Sequence, residues 1–241
     1  MAGFIDLHCH WVAGIDDGAT SIDAASKMLT GLGQLGFERV FATPHMRPGL
    51  FDNRAADLTA AFERTQAALG QAGSLPSREL SSEHFFDDVV FRRLRSGEGL
   101  PYPGGAAVLL EFYESNFPTR VDQLLCELRR DGLTPVIAHP ERYQAIWERP
   151  ETLERLLDLG AVALLDVAAL VGKYGARPRR SAELLLERGL YHAACSDAHR
   201  PEDVAEVGRG MAVVRERYGE AELTALFFDG PLEILAGTAR R

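Results

Sequence analysis

Cysteine is scarce in this chain, and its spacing excludes most thiol-based sites. Among 241 residues there are three cysteines, Cys9, Cys126 and Cys195, and none forms a Cys-x-x-Cys pair. This spacing excludes the usual thiolate zinc sites, and the odd count predicts reduced thiols. No cysteine opens a Cys-x5-Arg loop, which excludes the nucleophile of thiol-dependent phosphatases.

Long apolar runs and an excess of positive charge are also missing. No apolar stretch approaches the ~18 residues of a membrane span, and an acidic residue already stands at Asp6, so we expect neither a signal peptide nor membrane insertion. A net charge of −9 argues against nucleic acid as the partner. The basic clusters at 177–180 and 129–130 are interpreted as a solvated helix start and a helix end. We expect a cytoplasmic protein.

Apolar strands and amphipathic helices alternate along the whole chain. Strands are predicted at residues 4–10, 39–43, 79–82, 106–110, 134–138, 161–167 and 191–196. Helices are predicted at residues 22–35, 54–71, 87–95, 119–130, 150–159, 178–187, 201–218 and 220–227. This alternation is typical of a parallel sheet, and seven units without a break favour a barrel over a doubly wound sheet. The prediction is one α/β domain over residues 1–241, a distorted (β/α)7 TIM-like barrel.

Polar residues suited to metal binding end six of the seven predicted strands. His8 and His10 alternate along the first strand and so point the same way, and the Asp16-Asp17 turn can fold a carboxylate over them. Active sites of such barrels lie at the C-terminal ends of the strands. The candidate ligands are His8, His10, Asp17, His45, Glu83, Glu111, His139, Asp197 and His199.

Taken singly, each candidate has a simpler interpretation. A histidine that ends a strand is commonly a core or loop residue, and Asp197 can cap the following helix. The convergence of five of the seven histidines with four carboxylates at one end of a barrel favours a metal site. His84 should face away from Glu83 and His192 lies at the wrong end of its strand, so both are predicted to be non-ligands.

The donor types also indicate the metal. Imidazole and carboxylate without thiolate are typical of manganese, iron or zinc sites, and strand alternation turns Cys9 to the opposite face. Nine ligands are too many for one ion and suit two or three. Four carboxylates carry −4 against +6 for three divalent ions, so the loaded site should attract a phosphate dianion, and metal should stabilise the fold.

Several motifs resemble those of one known superfamily. D-L-H-C-H, G-I-D-D-G, A-T-P-H, L-E-F, I-A-H-P-E-R-Y and S-D-A-H are similar to motifs of the PHP (polymerase and histidinol phosphatase) superfamily. Within it, the whole chain most resembles the bacterial manganese-dependent protein tyrosine phosphatases of capsule and exopolysaccharide synthesis. The resemblance implies a PHP-type barrel with a trinuclear site, Mn²⁺ as the preferred metal, and Fe, Zn, Co or Mg as alternatives. It implies as partner a phosphotyrosine protein, namely a bacterial tyrosine kinase.

The same resemblance implies a role for each candidate. His8, His10 and Asp197 would hold one ion together with Glu83, which bridges to a second ion completed by Glu111 and His139. The third ion would be held by Asp17, His45 and His199. The arginines matching the phosphoryl-binding ones are Arg142 and Arg200, with Arg47 as a third candidate; a solvated surface charge is the alternative for all three. Two departures stand out: Ser81-Ser82 replace the usual glycine before Glu83, and the sixth strand lacks the usual Gln-x-Asn and serine.

The expected reaction is phosphotyrosine hydrolysis by a hydroxide formed from metal-bound water, with metals and arginines stabilising the equatorial oxygens. Two alternatives stay open: a PHP phosphatase of a small metabolite such as histidinol phosphate, and a non-catalytic metal-binding regulator of polysaccharide assembly. Short loops favour the exposed phosphotyrosine over a small metabolite, and the complete ligand set argues against a non-catalytic role. The oligomeric state is not indicated.

Overall fold

The computed structural model describes residues 3–70, 75–104 and 107–239. Its strands are Phe4–Cys9 (β1), Phe37–Ala42 (β2), His45–Met46 (β3), Ser77–Leu80 (β4), Glu83–Phe85 (β5), Ala107–Glu111 (β6), Thr134–Ala138 (β7), Val162–Asp166 (β8) and Ala193–Cys195 (β9). The sequence predicted seven strands, and the difference comes from two strands that are each broken in two.

The helices follow the strands in the predicted alternation. They are Ile22–Gln34 (α1), Ala55–Leu69 (α2), Asp88–Arg95 (α3), Val121–Arg130 (α4), Gln144–Glu148 (α5), Glu151–Asp158 (α6), Ala176–Glu187 (α7), Asp203–Tyr218 (α8), Glu220–Thr224 (α9) and Gly230–Leu235 (α10). Ser21 caps α1 as expected, because its hydroxyl accepts a hydrogen bond from the Ala24 amide at 3.1 Å. None of the helices in the described part of the chain has the length and apolarity needed to cross a lipid bilayer.

All strand pairs are parallel, and they form a distorted seven-unit barrel as predicted. One sheet has the order β1-β2-β4 and the other β3-β5-β6-β7-β8-β9. The two sheets are joined along the chain, since β2 leads into β3 and β4 leads into β5. At the remaining edge Cys9 forms a parallel bridge with Ala198, and the His10 amide donates to the Ala198 carbonyl at 2.9 Å.

The prediction of the third strand, residues 79–82 closing at Glu83, was wrong about where that strand ends. The strand stops at Leu80, and Glu83 begins β5 instead of ending the strand before it. The hydroxyls explain the break: Ser81 donates to the Leu100 carbonyl at 3.0 Å and Ser82 to the Pro44 carbonyl at 2.8 Å. The new register pairs Glu83 with His45 on β3, which brings these two side chains together.

Two short α-helices, α5 and α10, were not predicted. The predicted final helix 220–227 is α9 followed by a π-helical turn, Ala225–Asp229, and then α10. In the sequence, Gly230-Pro231 predicts the end of a helix. Proline is nevertheless accepted in the first turn of α10, where its missing backbone N–H would have no partner within the helix. The other missed helix is α5. Gln71 and Ala106, the predicted ends of a helix and a strand, lie outside the described residues.

Strand alternation divides the core into two layers. On β6, Ala107 and Leu109 pack in one apolar cluster with residues of other strands, whereas Val108 and Leu110 pack in the cluster that includes the helices. A register shift on β1 between Asp6 and Cys9 interrupts the alternation of that strand. Leu7 therefore packs in the same cluster as Ala107 and Leu109, whereas Cys9 packs in the cluster that includes the helices. Apolar side chains thus fill both layers of the core, and polar side chains occupy the C-terminal ends of the strands.

Candidate metal centre

All nine candidate ligands converge at one end of the sheets, where β1, β6, β7 and β9 end and where His45 and Glu83 begin β3 and β5. Their donor atoms form four overlapping groups in which all donors lie within 4.8 Å of one another. The groups are His10, Asp17, His45 and His199; His8, His10 and Asp197; His8, Glu83 and His139; and His45, Glu83 and Glu111. Donors around one ion at about 2.2 Å are at most about 4.4 Å apart, so small shifts would let each group close on a cation.

His8 of β1 and His10, which directly follows that strand, are held with their ring nitrogens facing each other. The Nε2 atoms of His8 and His10 are 3.1 Å apart, and both side chains are fully buried. On its other side His10 presents Nδ1 to the Asp16 carboxylate at 2.8 Å, and Asp16 also accepts from the His45 amide at 3.0 Å. A carboxylate behind a histidine fixes its tautomer and leaves the opposite nitrogen free for a metal. The sequence did not single out Asp16, although its place beside Asp17 was the available signal.

Glu83 lies at the centre of the cluster. Its Oε1 is 2.9 Å from His139 Nε2, while its Oε2 is 3.0 Å from His45 Nδ1 and 3.3 Å from His8 Nε2. Burial alone would raise the pKa of Glu83, but the surrounding histidines hold it well below its usual range. The side chain thus presents two charged oxygens to different histidines, as a bridging ligand does.

His139 and Asp197 each follow a strand in a strained backbone conformation. Their φ angles are 35° and 42°, in the left-handed region that side chains rarely adopt. Such strain is found where a site requires it. It aims Asp197 Oδ1 at His8 Nε2 at 3.2 Å. Burial, followed by the charge of Arg142, lowers the pKa of His139 to about 4, so its imidazole is neutral.

The remaining candidate ligands lie nearer the surface. Asp17 Oδ1 is 3.3 Å from His45 Nε2 and 3.6 Å from His199 Nε2, and the His199 ring stacks on His10 with centroids 4.0 Å apart. Burial favours protonation of Asp17, but His45 outweighs it and lowers the pKa of Asp17 to about 2. Burial and then the charge of Glu83 raise the pKa of Glu111 to about 7.

The hydrogen bonding of the cluster fits a metal site and not a self-sufficient polar network. Asp197 Oδ1, Glu111 Oε2 and His45 Nδ1 are buried, and although each lies within 4 Å of an ionisable partner, none makes a well-aligned hydrogen bond within the described residues. Buried polar atoms without partners are rare and costly. Imidazoles and carboxylates without a thiolate match manganese, iron or zinc, and divalent cations would satisfy these atoms at once. The residues present therefore fit the predicted metal ions.

The centre opens into a cavity of about 450 Å³. Arg47, Tyr113 and Arg142 line it together with seven of the candidate ligands. Arg142 Nη1 donates to Asp197 Oδ2 at 2.9 Å, its guanidinium carbon lies 4.6 Å from the centre of the Tyr174 ring, and its Nε is buried without an acceptor among the described residues. Arg47 Nη1 lies 3.7 Å from Glu111 Oε2, and the Arg47 guanidinium covers the Phe85 ring at 4.0 Å. The third predicted arginine, Arg200, is exposed and lines an adjoining groove beside Gly18.

A buried acidic network behind the centre was also missed. Glu141 accepts from the Asp166 amide at 3.0 Å and from the Tyr191 hydroxyl at 2.9 Å, and all three side chains are buried. Burial and then the charge of Asp166 raise the pKa of Glu141 to about 8. The network ties β8 and β9 to the turn that carries His139 and Arg142. Glu141 lies inside the quoted I-A-H-P-E-R-Y motif, which was the signal for it.

The residues predicted to lie outside the centre do so. His84 Nε2 accepts from the Leu100 amide at 3.0 Å while its Nδ1 faces the Leu109 carbonyl at 3.0 Å, and burial lowers its pKa to about 4. Both ring nitrogens are thus used by the backbone. Cys9, Cys126 and Cys195 are free thiols, and burial raises the pKa of Cys9 and Cys195 well above its usual value. Neither buried thiol is a nucleophile at neutral pH.

Known proteins resemble the chain over most of its length. The tyrosine-protein phosphatase YwqE of Bacillus subtilis (strain 168) is 31% identical over 200 residues, which cover 81% of this chain and 77% of YwqE. One of the crystal structures of YwqE and of CpsB from Streptococcus pneumoniae, described as unique metal-dependent tyrosine phosphatases, matches with a TM-score of 0.89 at 26% identity, covering 98% of this chain and 96% of that one. The lactonase Lmo2620 of Listeria monocytogenes shares only the fold, with a TM-score of 0.58 at 12% identity over 97% of this chain and 94% of the lactonase.

A family model gives the same relationship for the chain as a whole. The model for capsular polysaccharide synthesis, CpsB/CapC, matches residues 4–236, which include every candidate ligand and all three arginines. The chain belongs to the CpsB/CapC family of capsular polysaccharide synthesis.

Proposed function

We propose that this chain is a metal-dependent phosphatase that hydrolyses phosphotyrosine on a protein of capsule or exopolysaccharide synthesis. The observation that carries the proposal is the convergence of nine imidazole and carboxylate side chains on a cavity whose wall also holds Arg142. Relatives named as tyrosine phosphatases support the reaction. The proposed substrate protein is a bacterial tyrosine kinase, and free cysteines fit the proposed cytoplasmic setting.

The proposed ligand sets follow the resemblance. His8, His10 and Asp197 would hold one ion with Glu83; Glu83, Glu111 and His139 would hold a second; Asp17, His45 and His199 would hold a third. Support comes from the two oxygens of Glu83, which face different histidines. His139 groups with His8 and Glu83, and Glu111 groups with His45 and Glu83, so Glu83 is the donor that joins the two residues proposed for the second ion. Manganese is the proposed metal.

Divalent ions bound here supply Lewis acidity and a water nucleophile at neutral pH. The chain itself supplies the rest of the chemistry. Arg142 Nε and Nη2 are available to two oxygens of a phosphoryl group, because Nε has no acceptor among the described residues and Nη2 lies 3.5 Å from the exposed Glu114. Arg47 faces the same cavity from the opposite strands, and Arg200 is proposed to reach it from the adjoining groove.

The mouth of the cavity suits an aromatic leaving group on a protein surface. Tyr113 is 56% exposed there, and its ring meets Phe85 edge to face at a centroid distance of 4.6 Å. A substrate ring can pack against Tyr113 in the same manner. The phenol that leaves has a pKa of about 10, so little general-acid assistance is needed. An open mouth of this kind favours phosphotyrosine over a small metabolite, which an enzyme would enclose.

Substrate comparison on one protein sample tests the proposal. Metal-free protein is reloaded with Mn²⁺, and kcat/KM is measured on a phosphotyrosine peptide, the matched phosphoserine peptide and histidinol phosphate. We expect phosphotyrosine to be preferred by about tenfold or more, and EDTA to abolish turnover. Equal or faster hydrolysis of histidinol phosphate would assign the small-metabolite function instead. Metal binding without hydrolysis of any substrate would assign the regulatory one.

A further inference from the structure

A second concave surface lies beside the metal-centre cavity. This groove of about 330 Å³ runs between α5 and α7, and we call it the α5–α7 groove. Its lining includes Gln144, Trp147, Glu148, Arg177, Arg180 and Leu184. The Trp147 indole N–H donates to the Glu141 carbonyl, which fixes the ring as one wall, and Leu184 is 36% exposed on the other side. The groove therefore offers rigid apolar surface to a ligand.

Two unpaired arginines give the groove its charge. Arg177 and Arg180 are three residues apart on α7, so they share one face of the helix, and both are exposed. No carboxylate among the described residues pairs with either of them, whereas neighbouring Arg179 lies 3.5 Å from Glu183. The single carboxylate of the lining, Glu148, accepts from Gln144 at 2.9 Å. These two guanidinium groups create a local positive potential that favours binding of an anion, although the chain as a whole has a net charge of −9.

The groove and the metal-centre cavity are lined by residues that are near neighbours along the chain. Gln144 lies two residues beyond Arg142, so their Cα atoms are at most about 7 Å apart. The backbone N–H of Gln144 donates to the Glu114 carbonyl at 2.7 Å. Tyr174, under the Arg142 guanidinium, precedes Arg177 by three residues, at most about 11 Å. An extended peptide whose phosphotyrosine enters the cavity would thus cross the groove about two to four residues away.

We propose that the α5–α7 groove binds acidic residues that flank the phosphotyrosine of the substrate protein, with an apolar neighbour packed against Trp147 and Leu184. This inference rests on the proposed function. The two arginines indicate that the ligand of the groove is acidic, because the charges are complementary. The apolar walls and the neighbouring cavity indicate that this ligand is part of the peptide that carries the phosphotyrosine. Residues 177–180 do form the exposed start of α7, and the proposal adds a substrate contact at Arg177 and Arg180.

Peptide kinetics on a charge variant test the inference. The substrates are phosphotyrosine amide, a phosphotyrosine peptide with aspartates two to four residues from the phosphotyrosine on either side, and the same peptide with asparagines there. We expect the parent protein to prefer the acidic peptide, and Arg177→Gln/Arg180→Gln to lower its kcat/KM about 2- to 30-fold, as expected for two exposed ion pairs. The amide, which is too short to reach the groove, should be hydrolysed at the parent rate. Added salt should reduce the preference of the parent.

The controls separate this inference from the proposed function. Arg64→Gln/Arg130→Gln removes two exposed helical arginines elsewhere and should leave all three substrates unchanged. Arg177→Glu/Arg180→Glu should reverse the preference toward the neutral peptide while the melting temperature stays at the parent value. If the parent hydrolyses phosphotyrosine amide but shows equal kcat/KM on both peptides, the groove assignment is wrong and the proposed function stands. Competition by an RNA oligomer as effective as that by the acidic peptide would also overturn it.

Discussion

Replacing Arg142 by alanine should slow phosphotyrosine hydrolysis while leaving the metal ions in place. Arg142 makes one strong contact, from Nη1 to Asp197 Oδ2 at 2.9 Å, and its side chain is 18% exposed. Its Nε has no acceptor among the described residues, and its Nη2 contact with Glu114 is long. Two donors of the guanidinium fork are thus available to the phosphoryl group in the transition state.

The expected loss follows from these two donors. Removing preorganised charged donors from a partly shielded site commonly costs about 3–4 kcal/mol of transition-state stabilisation, or about 10²–10³ in kcat/KM. Asp197 would keep its Oδ1 contacts with His8 at 3.2 Å and His10 at 3.6 Å, so the group of donors around it persists. Metal content and melting temperature should therefore stay near those of the parent. Arg142→Lys should recover less than about tenfold, because an ammonium keeps the charge but lacks the fork.

The assay combines phosphotyrosine-peptide kinetics, metal analysis and thermal melts on both variants, with Arg130→Ala as the control at an exposed arginine of α4. Normal turnover in Arg142→Ala would show that the residue is only a solvated loop charge. A loss of activity that follows a loss of metal would show that Arg142 acts through Asp197 and does not bind substrate.

Four further predictions test other parts of the site. Asp16→Ala should weaken Mn²⁺ activation about 10- to 100-fold, because the carboxylate 2.8 Å from His10 Nδ1 orients that ring; an unchanged metal titration would deny Asp16 this role. Replacing Cys9, Cys126 and Cys195 together by alanine should leave turnover within about tenfold, since a raised pKa keeps the buried thiols protonated; inactivation with metals still bound would overturn a thiol-independent reaction. Tyr113→Ala should raise KM for a phosphotyrosine peptide about 2- to 10-fold and leave a phosphoserine peptide unaffected, because only the aromatic ring can stack there; equal effects on both would exclude stacking. Because the pKa of Glu141 rises from 4.5 to about 8 on folding, the free energy of unfolding should fall as pH rises between those values, and Glu141→Gln should make that slope shallower by up to about 1.4 kcal/mol per pH unit in denaturant titrations at pH 5–8; parallel curves would show that the carboxyl is not buried as a neutral group.

The ligand positions could be predicted because parallel strands end at one edge of the barrel. Strand alternation alone was enough to predict the positions of His8 and His10. Glu111 was predicted from the free-energy cost of burying a carboxylate at the end of an apolar strand. The path of the chain at Glu83 could not be predicted in this way. Its position depends on hydroxyls of Ser81 and Ser82 that bond to distant carbonyls, and no local pattern reports such partners.

The supporting residues were harder to recognise than the ligands. Asp16 and Asp17 are equivalent in sequence, and only the folded turn decides that Asp16 stands behind His10 while Asp17 faces His45 and His199. The left-handed backbone at His139 and Asp197 is imposed by tertiary packing, since neither residue type demands it. Arg200 was chosen by motif alone, and its place in an adjoining groove leaves its phosphoryl contact a prediction.

The central claim is that several divalent ions at these nine side chains carry out the hydrolysis. It is tested most directly by titrating metal-free protein with Mn²⁺ while measuring both the ions bound per chain and the rate of phosphotyrosine-peptide hydrolysis. We expect two to three tightly bound ions per chain, with turnover appearing only as the second or third site fills. Full turnover with no more than one ion bound per chain would contradict it.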